Sequence, residues 1–282
     1  MEKDTIKILV CAHKADENIR CDEVYMPIQV GKDLHNDLDL GFTNDNTGDN
    51  ISYKNPYYCE LTAMYWAWKN LHNLKYIGLC HYRRYFDVDL NKNNITQILD
   101  GKDIILSRPL VLPFNNLTNL ETLIGKEDIH ILFDELLTFY PDSRAALVDY
   151  ALGSNKWILA NMFVCRKELF DEYCNFIFPV LESVEKRIKL SPYSRQRRTL
   201  GYMGEFLLGF FATYRKLKVK HYYVVQYDGF IRKRNWKTHI YEKLMTLGFL
   251  LCRGRRKPKS IMPYLATVVG LKNDGIVLKS FK

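Results

Sequence analysis

The sequence predicts an α/β fold in which helices pack against a mostly parallel central sheet. Short apolar runs of strand length alternate along the chain with longer segments of helical periodicity. The 282 residues are 47% hydrophobic and 26% charged, which is enough apolar content to form a core and too much for a disordered chain. The chain has no internal repeat and no Gly/Ser-rich linker, so we expect one main domain over residues 1–230.

The predicted strands are short apolar runs with polar flanks. Ile6 to Ala12 is apolar except for Lys7, as expected of a strand buried on both faces of a parallel sheet. Further strands are predicted over 77–80, 103–106, 157–165 and 222–225.

The predicted helices carry apolar residues three or four positions apart. The first begins at Asn55-Pro56, because Asn is a favourable N-cap and proline fits the first helical position. Its apolar stripe consists of Leu61, Tyr65, Trp68 and Leu71. Further helices are predicted over 127–140, 167–188 with an interruption at Pro179, and 203–216, and a long loop is predicted over 33–50.

Several function classes are disfavoured by motifs that the sequence lacks. There is no P-loop, no GxGxxG and no GxSxG, which argues against a P-loop kinase, a dinucleotide oxidoreductase and an α/β-hydrolase. The seven cysteines show no CxxC spacing and the seven histidines no HExxH spacing, so neither a disulfide framework nor a structural zinc site is expected. The cysteines and the charged N-terminus predict a reduced, cytoplasmic protein without a signal peptide.

The net charge of +9 is concentrated near the C-terminus, in the predicted segment 231–282. Residues 232–259 contain ten Lys and Arg and one acid, Glu242, and they surround an apolar stretch over 244–251. The rest of the chain has no net charge, which argues against nucleic-acid binding by the main domain. We predict that residues 232–259 attach the protein to the anionic inner face of the cell membrane; a helix packed on the domain with a solvated basic edge is the alternative.

Charged and aromatic residues follow the first two predicted strands. Ligands of open α/β sheets bind at the carboxyl ends of the strands, which makes His13-Lys14 and the segment from His81 to Asp89 candidate site residues. Arg83 and Arg84 have the planar guanidinium groups that suit phosphate, although a solvated charged loop would also contain them. An extended backbone would align His81, Arg83, Tyr85, Asp87 and Asp89 on one face.

Four carboxylates and one amide are further candidate site residues. Asp87 and Asp89 can bind a divalent cation such as Mn²⁺ or Mg²⁺, or can be ordinary surface acids. Glu60 lies on an otherwise apolar helix, and Asn161 lies inside an apolar run, so both need partners. Glu205 lies near the predicted start of a helix, where the helix dipole stabilises a negative charge. It is either an ordinary residue of this kind or the base that deprotonates an acceptor hydroxyl.

Blocks of residues in a fixed order resemble a known family. The blocks are Ala12-His13-Lys14, then 48–52, 54–56 and 58–62, then 65–70, then Tyr76 to Phe86, which contains His81-Tyr82-Arg83-Arg84-Tyr85-Phe86, and finally Asn161-Met162-Phe163, 170–174 and Glu205. Over roughly residues 6 to 236 the chain is similar to the bacterial glycosyltransferases of capsular and exopolysaccharide biosynthesis that carry this His-Tyr-Arg-Arg-Tyr-Phe signature.

The resemblance implies a GT-A-like nucleotide-diphospho-sugar transferase fold. It implies transfer of a hexose, such as galactose in its pyranose or furanose form, from a UDP-sugar to a growing capsular, exopolysaccharide or O-antigen glycan, with a lipid-linked acceptor expected. The catalytic residues would be Glu205, Arg83 and Arg84, with Glu60 in reserve. The residues that bind the donor would be His13, Lys14, His81, Tyr82, Asp49, Asn50 and Asn161. Because Asp87 and Asp89 are displaced from the strand end where GT-A enzymes carry Asp-x-Asp, cationic side chains can replace the metal.

Two other functions stay open at this point. One is a metal-dependent retaining sugar transferase that uses Asp87 and Asp89. The other is a non-catalytic protein that binds nucleic acid through its basic C-terminal segment. The lack of net charge in the rest of the chain disfavours this second function.

Overall fold

The computed structural model describes residues 5–227, 236–251 and 265–276. Over these residues the strands are β1 (Ile6–Ala12), β2 (Tyr25–Gln29), β3 (Thr43–Asn44), β4 (Tyr76–His81), β5 (Arg84–Phe86), β6 (Ile104–Ser107), β7 (Leu110–Val111), β8 (Lys156–Trp157), β9 (Phe163–Arg166), β10 (Val219–Tyr222) and β11 (Val224–Gln226).

The helices alternate with these strands along the chain. They are α1 (Asn55–Tyr58), α2 (Leu61–Asn70), α3 (Ile95–Ile98), α4 (Asn116–Glu121), α5 (Lys126–Phe139), α6 (Arg144–Val148), α7 (Lys167–Glu185), α8 (Ser194–Arg197), α9 (Thr199–Tyr214), α10 (Trp236–Leu251) and α11 (Leu265–Asn273). None of the helices in the described residues is both long and apolar enough to cross a membrane.

Nine of the described strands form one sheet, in which seven follow the order β10-β6-β9-β4-β1-β2-β3 and two, β5 and β11, lie off this path. The pairs β1–β2, β1–β4, β2–β3 and β6–β10 are parallel, whereas β9 runs antiparallel between β4 and β6. β5 folds back on β4 and pairs with β11. The predicted α/β fold with a mostly parallel central sheet is therefore confirmed.

The apolar run of β1 is explained by burial on both faces of the sheet. Leu9 and Cys11 belong to the larger core cluster, under the helices α2, α7 and α9, whereas Ile8 and Val10 belong to a second cluster on the opposite face. Successive side chains of a strand point to opposite faces, so a strand covered on both faces must be apolar at nearly every position.

The close approach of β9 to β4 depends on Gly78. A Cβ atom at this position would lie 2.6 Å from Cγ2 of Val164 and 2.7 Å from the carbonyl oxygen of Phe163. The absence of a side chain lets the antiparallel strand insert beside β4. This insertion brings the residues that precede β9 to the carboxyl end of β4.

The prediction of one continuous strand over 157–165 is wrong. β8 ends at Trp157 and β9 begins at Phe163, and the intervening residues Ala160 and Asn161 have φ values of 69° and 48°. This left-handed conformation cannot continue a strand. Asn161 therefore lies in a turn at the end of the sheet. The last predicted strand is likewise two strands, β10 and β11, which pair with β6 and β5 respectively.

The predicted helix from Asn55 is divided at Cys59, whose φ of 53° and ψ of −132° end α1 before α2 begins. The predicted interruption at Pro179 is absent, and α7 continues through it. A proline cannot donate to the carbonyl four residues earlier, that of Asn175. The hydroxyl of Tyr140 donates to this carbonyl at 3.4 Å, which supplies the missing partner.

Two further boundaries differ from the sequence-based predictions. The region 33–50 is not wholly a loop, since it contains β3 as an edge strand of the sheet. The helix predicted from residue 203 begins at Thr199, so Glu205 lies in its second turn rather than at its start. The basic stretches 228–235 and 252–264 lie outside the described residues, and the predicted boundary at residue 230 stays a prediction.

Candidate functional site

The candidate site lies where three strands meet at one edge of the sheet. β1 and β4 are parallel, and Cys11 of β1 pairs with His81, the last residue of β4. His13 follows β1 directly, so both histidines lie at this edge. β9 runs in the opposite direction, with Leu79 paired to Phe163, so the turn before β9 reaches the same edge. These positions correspond to the ligand-binding edge of open α/β sheets.

The turn at Ala160 and Asn161 joins the polar groups of the site. Nε2 of His81 donates to the carbonyl oxygen of Ala160 at 2.8 Å, which fixes the proton on Nε2. The backbone N–H of Ala160 donates to the carboxylate of Glu205. Two consecutive non-glycine residues in the left-handed region cost free energy, about 1–3 kcal/mol each in general, and such strain concentrates at functional sites.

Glu60 is nearly enclosed, with 7% of its surface exposed. Its Oε1 accepts a hydrogen bond of 2.8 Å from Nδ2 of Asn161 and lies 3.9 Å from Nε2 of His81. The abrupt turn at Cys59 brings this carboxylate to the start of α2, beside the sheet edge. Glu60 therefore has the partners that a buried carboxylate requires.

Asn161 has one polar atom without a partner. Its Nδ2 donates to Glu60 and, at 3.3 Å, to the carbonyl oxygen of Gly201, whereas its buried Oδ1 accepts no hydrogen bond from the described residues. A buried acceptor of this kind costs free energy unless a ligand or water supplies a donor. A sugar hydroxyl has the required chemistry.

Glu205 has the electrostatics of a general base. Burial is the largest cause that raises the pKa of its carboxyl to about 7, and the nearby charge of Glu60 raises it further. The indole Nε1 of Trp157 donates to Oε2 of Glu205 at 3.3 Å, and this bond and the cation of Arg198 oppose the rise. A carboxyl with this pKa exchanges a proton near neutral pH.

Cationic and ionisable side chains lie near His13, at the carboxyl end of β1. Burial is the main cause that lowers the pKa of His13, and the charges of Lys14, Arg198, His35 and His81 lower it further. Tyr82 packs edge-on against the His13 ring, with 5.4 Å between ring centroids. This arrangement favours an anionic ligand.

Arg198 is a site residue that the sequence did not single out. Its Nε donates to Sγ of Cys59 at 3.2 Å, and its guanidinium lies 5.5 Å from the ring centroid of Tyr202. Because Cys59 directly precedes Glu60, these contacts hold the cation beside the carboxylates. The only signal in the sequence was a run of arginines before an apolar helix, which is also common on solvated surfaces.

The prediction that alternate residues from His81 to Asp89 lie on one face of an extended strand is wrong, because β4 and β5 form a tight hairpin. Arg84 pairs with His81 across the hairpin, so their side chains lie on the same face. Arg83 lies in the turn, where its Nε donates to Oδ2 of Asp16 at 2.6 Å. Hydrogen bonds from Asn18 are the main cause that lowers the pKa of Asp16 to about 2, and Arg83 adds to the effect.

Asp49 and Asn50 lie away from this cluster. Asp49 accepts from the hydroxyl of Tyr65 at 3.3 Å, and its carbonyl oxygen accepts from Asn70 at 2.8 Å, at the far end of α2 from Glu60. From the helical rise, ten residues of α2 span about 15 Å. Asn50 is engaged in a local turn, so the role of both residues in donor binding stays a prediction.

The two acids downstream of the hairpin do not fit a metal site built by the protein alone. Oδ1 of Asp89 accepts from Arg20 at 2.8 Å, and Asp87 is exposed. Within the described residues, no group of three or more His, Cys, Asp or Glu side chains could hold a metal ion. The role of Asp87 and Asp89 as metal ligands therefore stays a prediction.

None of the curated proteins matches this chain. Among solved structures, the apo form of the bifunctional glycosyltransferase WbbM is similar, with a TM-score of 0.73 and 27% sequence identity. The similarity covers 80% of this chain and 46% of that chain, so the present chain corresponds to about half of WbbM.

Residues 7–216 match the family described as "Domain of unknown function (DUF4422)". This range includes β1 from its second residue onward, all of β2 to β9 and α9, and the candidate site residues His13, Glu60, His81, Asn161, Arg198 and Glu205. The chain therefore belongs to the DUF4422 family.

Proposed function

We propose that this protein is a glycosyltransferase that moves a hexose from a UDP-sugar to a growing polysaccharide. The observation that carries the proposal is the carboxylate of Glu205, with a pKa of about 7, beside a cationic cluster at the ligand-binding edge of the sheet. The similarity to WbbM, a bifunctional glycosyltransferase, supports the same reaction class.

The cationic cluster suits a departing nucleoside diphosphate. Sugar transfer breaks the bond between the anomeric carbon and the diphosphate oxygen, and negative charge grows on that oxygen. Positive groups fixed where the charge develops lower the barrier. In the proposal Lys14, Arg84 and Arg198 supply the positive charge at the sheet edge. His13, whose lowered pKa favours the neutral ring, contributes a hydrogen-bonding group there, and His81 positions the turn at Ala160.

Arg83 has a different part in the proposal from the one expected from its residue type. Its bond with Asp16 ties the hairpin turn to the segment after β1. A guanidinium engaged by a carboxylate has less capacity for phosphate. We therefore assign Arg83 to holding the hairpin, and with it Tyr82 and Arg84, in position.

Glu205 is assigned the proton transfer. As the new bond forms between the acceptor oxygen and the anomeric carbon, the acceptor hydroxyl gives its proton to the carboxylate, and the diphosphate leaves with the electron pair of the broken bond. This direct displacement inverts the configuration of the sugar. Glu60 is assigned a positioning part, because its carboxylate already accepts from Asn161 and lies beside His81.

A transfer assay with the purified chain tests the proposal. The protein is incubated with UDP-, GDP-, CMP- and dTDP-sugars and a lipid-linked saccharide acceptor, and both the released nucleotide and the extended acceptor are measured. Parallel samples contain Mn²⁺, Mg²⁺ or a chelator. We expect release of UDP from a UDP-hexose in step with extension of the acceptor. If no nucleotide sugar is consumed and none raises the melting temperature, the proposed function is wrong.

A further inference from the structure

The helix α10 carries apolar side chains on two opposite faces. Met245, Gly248 and Phe249 are half-buried, and the carbonyl oxygen of Phe249 accepts a hydrogen bond of 3.0 Å from Nδ2 of Asn155. These residues lie three and four positions apart and therefore share one face of the helix. This inner face packs against the domain next to β8.

The outer face of α10 is apolar and exposed. Ile240, Leu244, Leu247 and Leu251 are 48%, 62%, 54% and 75% exposed, respectively. Their spacing of four, three and four residues places them in one stripe, which we call the leucine stripe. Packing of α10 on the domain accounts for the inner face only. A contiguous stripe of large apolar side chains in water marks a surface that binds a partner.

The charge of the sequence segment that contains the leucine stripe indicates what kind of partner the stripe binds. Residues 232–259, which include α10, contain ten Lys and Arg and only one acid, and Lys243 is exposed beside the stripe. A second copy of the chain would bring two strongly basic segments together, which electrostatic repulsion opposes. An anionic lipid surface offers both an apolar layer and opposite charge.

We propose that α10 lies in the surface of an anionic lipid bilayer, with the leucine stripe among the acyl chains near the headgroups. The helix has 16 residues, so its length is about 24 Å, which is shorter than the roughly 30 Å hydrocarbon core. It is therefore suited to lie along the surface rather than to cross the membrane. The inner face remains packed on the domain, so the whole protein is held at the lipid surface.

This attachment has a consequence for the candidate site, and the consequence rests on the proposed function. Asn155, which bonds to α10, lies two residues before Trp157, whose indole holds Glu205. The membrane surface would therefore lie on the Glu205 side of the site, where a lipid-linked acceptor would enter. The lipid binding itself does not depend on catalysis.

Vesicle sedimentation tests the proposal. The full chain is mixed with vesicles of phosphatidylcholine alone or of phosphatidylcholine with phosphatidylglycerol. The test variant is Leu244→Gln/Leu247→Gln, since Gln is tolerated in helices. The control variant, Leu152→Gln/Leu190→Gln, makes the same change at two exposed leucines outside α10. Melting temperature and circular dichroism verify that both variants are folded.

We expect the wild type and the control to sediment with anionic vesicles, and binding to weaken as salt is added. The test variant should bind at least about tenfold more weakly, because two large apolar side chains no longer enter the lipid. Equal binding of the test variant would overturn the proposal, as would a wild type that stays in the supernatant. A wild-type dimer that the test variant abolishes, with lipid binding unchanged, would assign the stripe to self-association instead. None of these outcomes depends on transferase activity.

Discussion

The indole Nε1 of Trp157 donates a hydrogen bond of 3.3 Å to Oε2 of Glu205, which joins β8 to the second turn of α9. Trp157 is fully buried, so its ring has little freedom to move. The bond therefore fixes the direction of the carboxylate and favours its ionised form. Both effects suit a base that must face an acceptor hydroxyl.

Replacing Glu205 by Gln should abolish most of the transfer. General base catalysis generally contributes about 10²–10⁴-fold, so we expect a loss of kcat within that range and little change in donor binding. The measurement is steady-state release of UDP. Glu182→Gln, which makes the same change at a surface residue of α7, is the control and should keep full activity. A Glu205→Gln variant as active as this control would remove Glu205 from the mechanism.

Replacing Trp157 by Phe should move the acid limb of the pH–rate profile to higher pH. The indole N–H stabilises the carboxylate and so lowers the pKa of Glu205, which is about 7 with the bond in place. Loss of the bond raises this pKa, and the active, ionised form then appears only at higher pH. The profile of kcat/KM measures the shift. An unchanged acid limb would mean that another group controls it.

Replacing Glu205 by Gln should also change how stability depends on pH. The pKa of Glu205 is raised from 4.5 to about 7 in the folded protein. As the pH rises from about 4.5 to about 7, the unfolded chain loses this proton first, so the wild type loses stability over that interval. The Gln variant lacks this titration. The melting temperature of the Gln variant minus that of the wild type should therefore rise as the pH increases from about 4.5 to about 7, and should stay constant above that pH.

Replacing Asn161 by Ala should destabilise the protein more than the same change at Asn73. Both residues have positive φ, 48° and 60°, so alanine meets similar backbone strain at each. Only Asn161 also donates from its side chain to a buried carboxylate, that of Glu60. Leaving that carboxylate without its donor should add about 1–3 kcal/mol to the loss of unfolding free energy. Urea denaturation of both variants measures the difference, and equal losses would mean that the bond contributes nothing.

Replacing Arg198 by Ala should weaken binding of the nucleoside diphosphate. The guanidinium lies beside Cys59 and Tyr202, and its positive charge lowers the pKa of His13. Loss of one charge-assisted contact generally costs about 1.5–3 kcal/mol, which is a factor of about 10 to 150 in the Kd for UDP. Titration calorimetry measures this Kd. Arg197→Ala changes the neighbouring arginine, which bonds to the Pro192 carbonyl, and should leave UDP binding unchanged.

The fold class could be predicted because its signals are local. The continuous apolar run of β1 and the helical spacing of α2 each follow from which faces of a single element are buried. His13 and His81 were predicted together for a related reason. Parallel strands end at the same edge of a sheet, so residues that follow two such strands become neighbours whatever lies between them.

The breaks within elements could not be predicted in the same way. Cys59 and Ala160 are in the left-handed region, although neither is a glycine or an asparagine that would announce a turn. Pro179 shows the opposite case, since a local helix breaker is tolerated because Tyr140, on another element, supplies a donor.

The layered α/β architecture, the edge of the sheet at which the candidate site lies and the residue types found there follow from local sequence patterns. Which of these residues come into contact depends on how distant elements pack. Glu60 and Asn161 are 101 residues apart, and their contact requires β9 to insert antiparallel beside β4. The same folding places Arg83 on Asp16 and Arg198 on Cys59, beside Glu60. Local patterns cannot encode such choices, because a side chain's partners depend on elements that are distant in the chain.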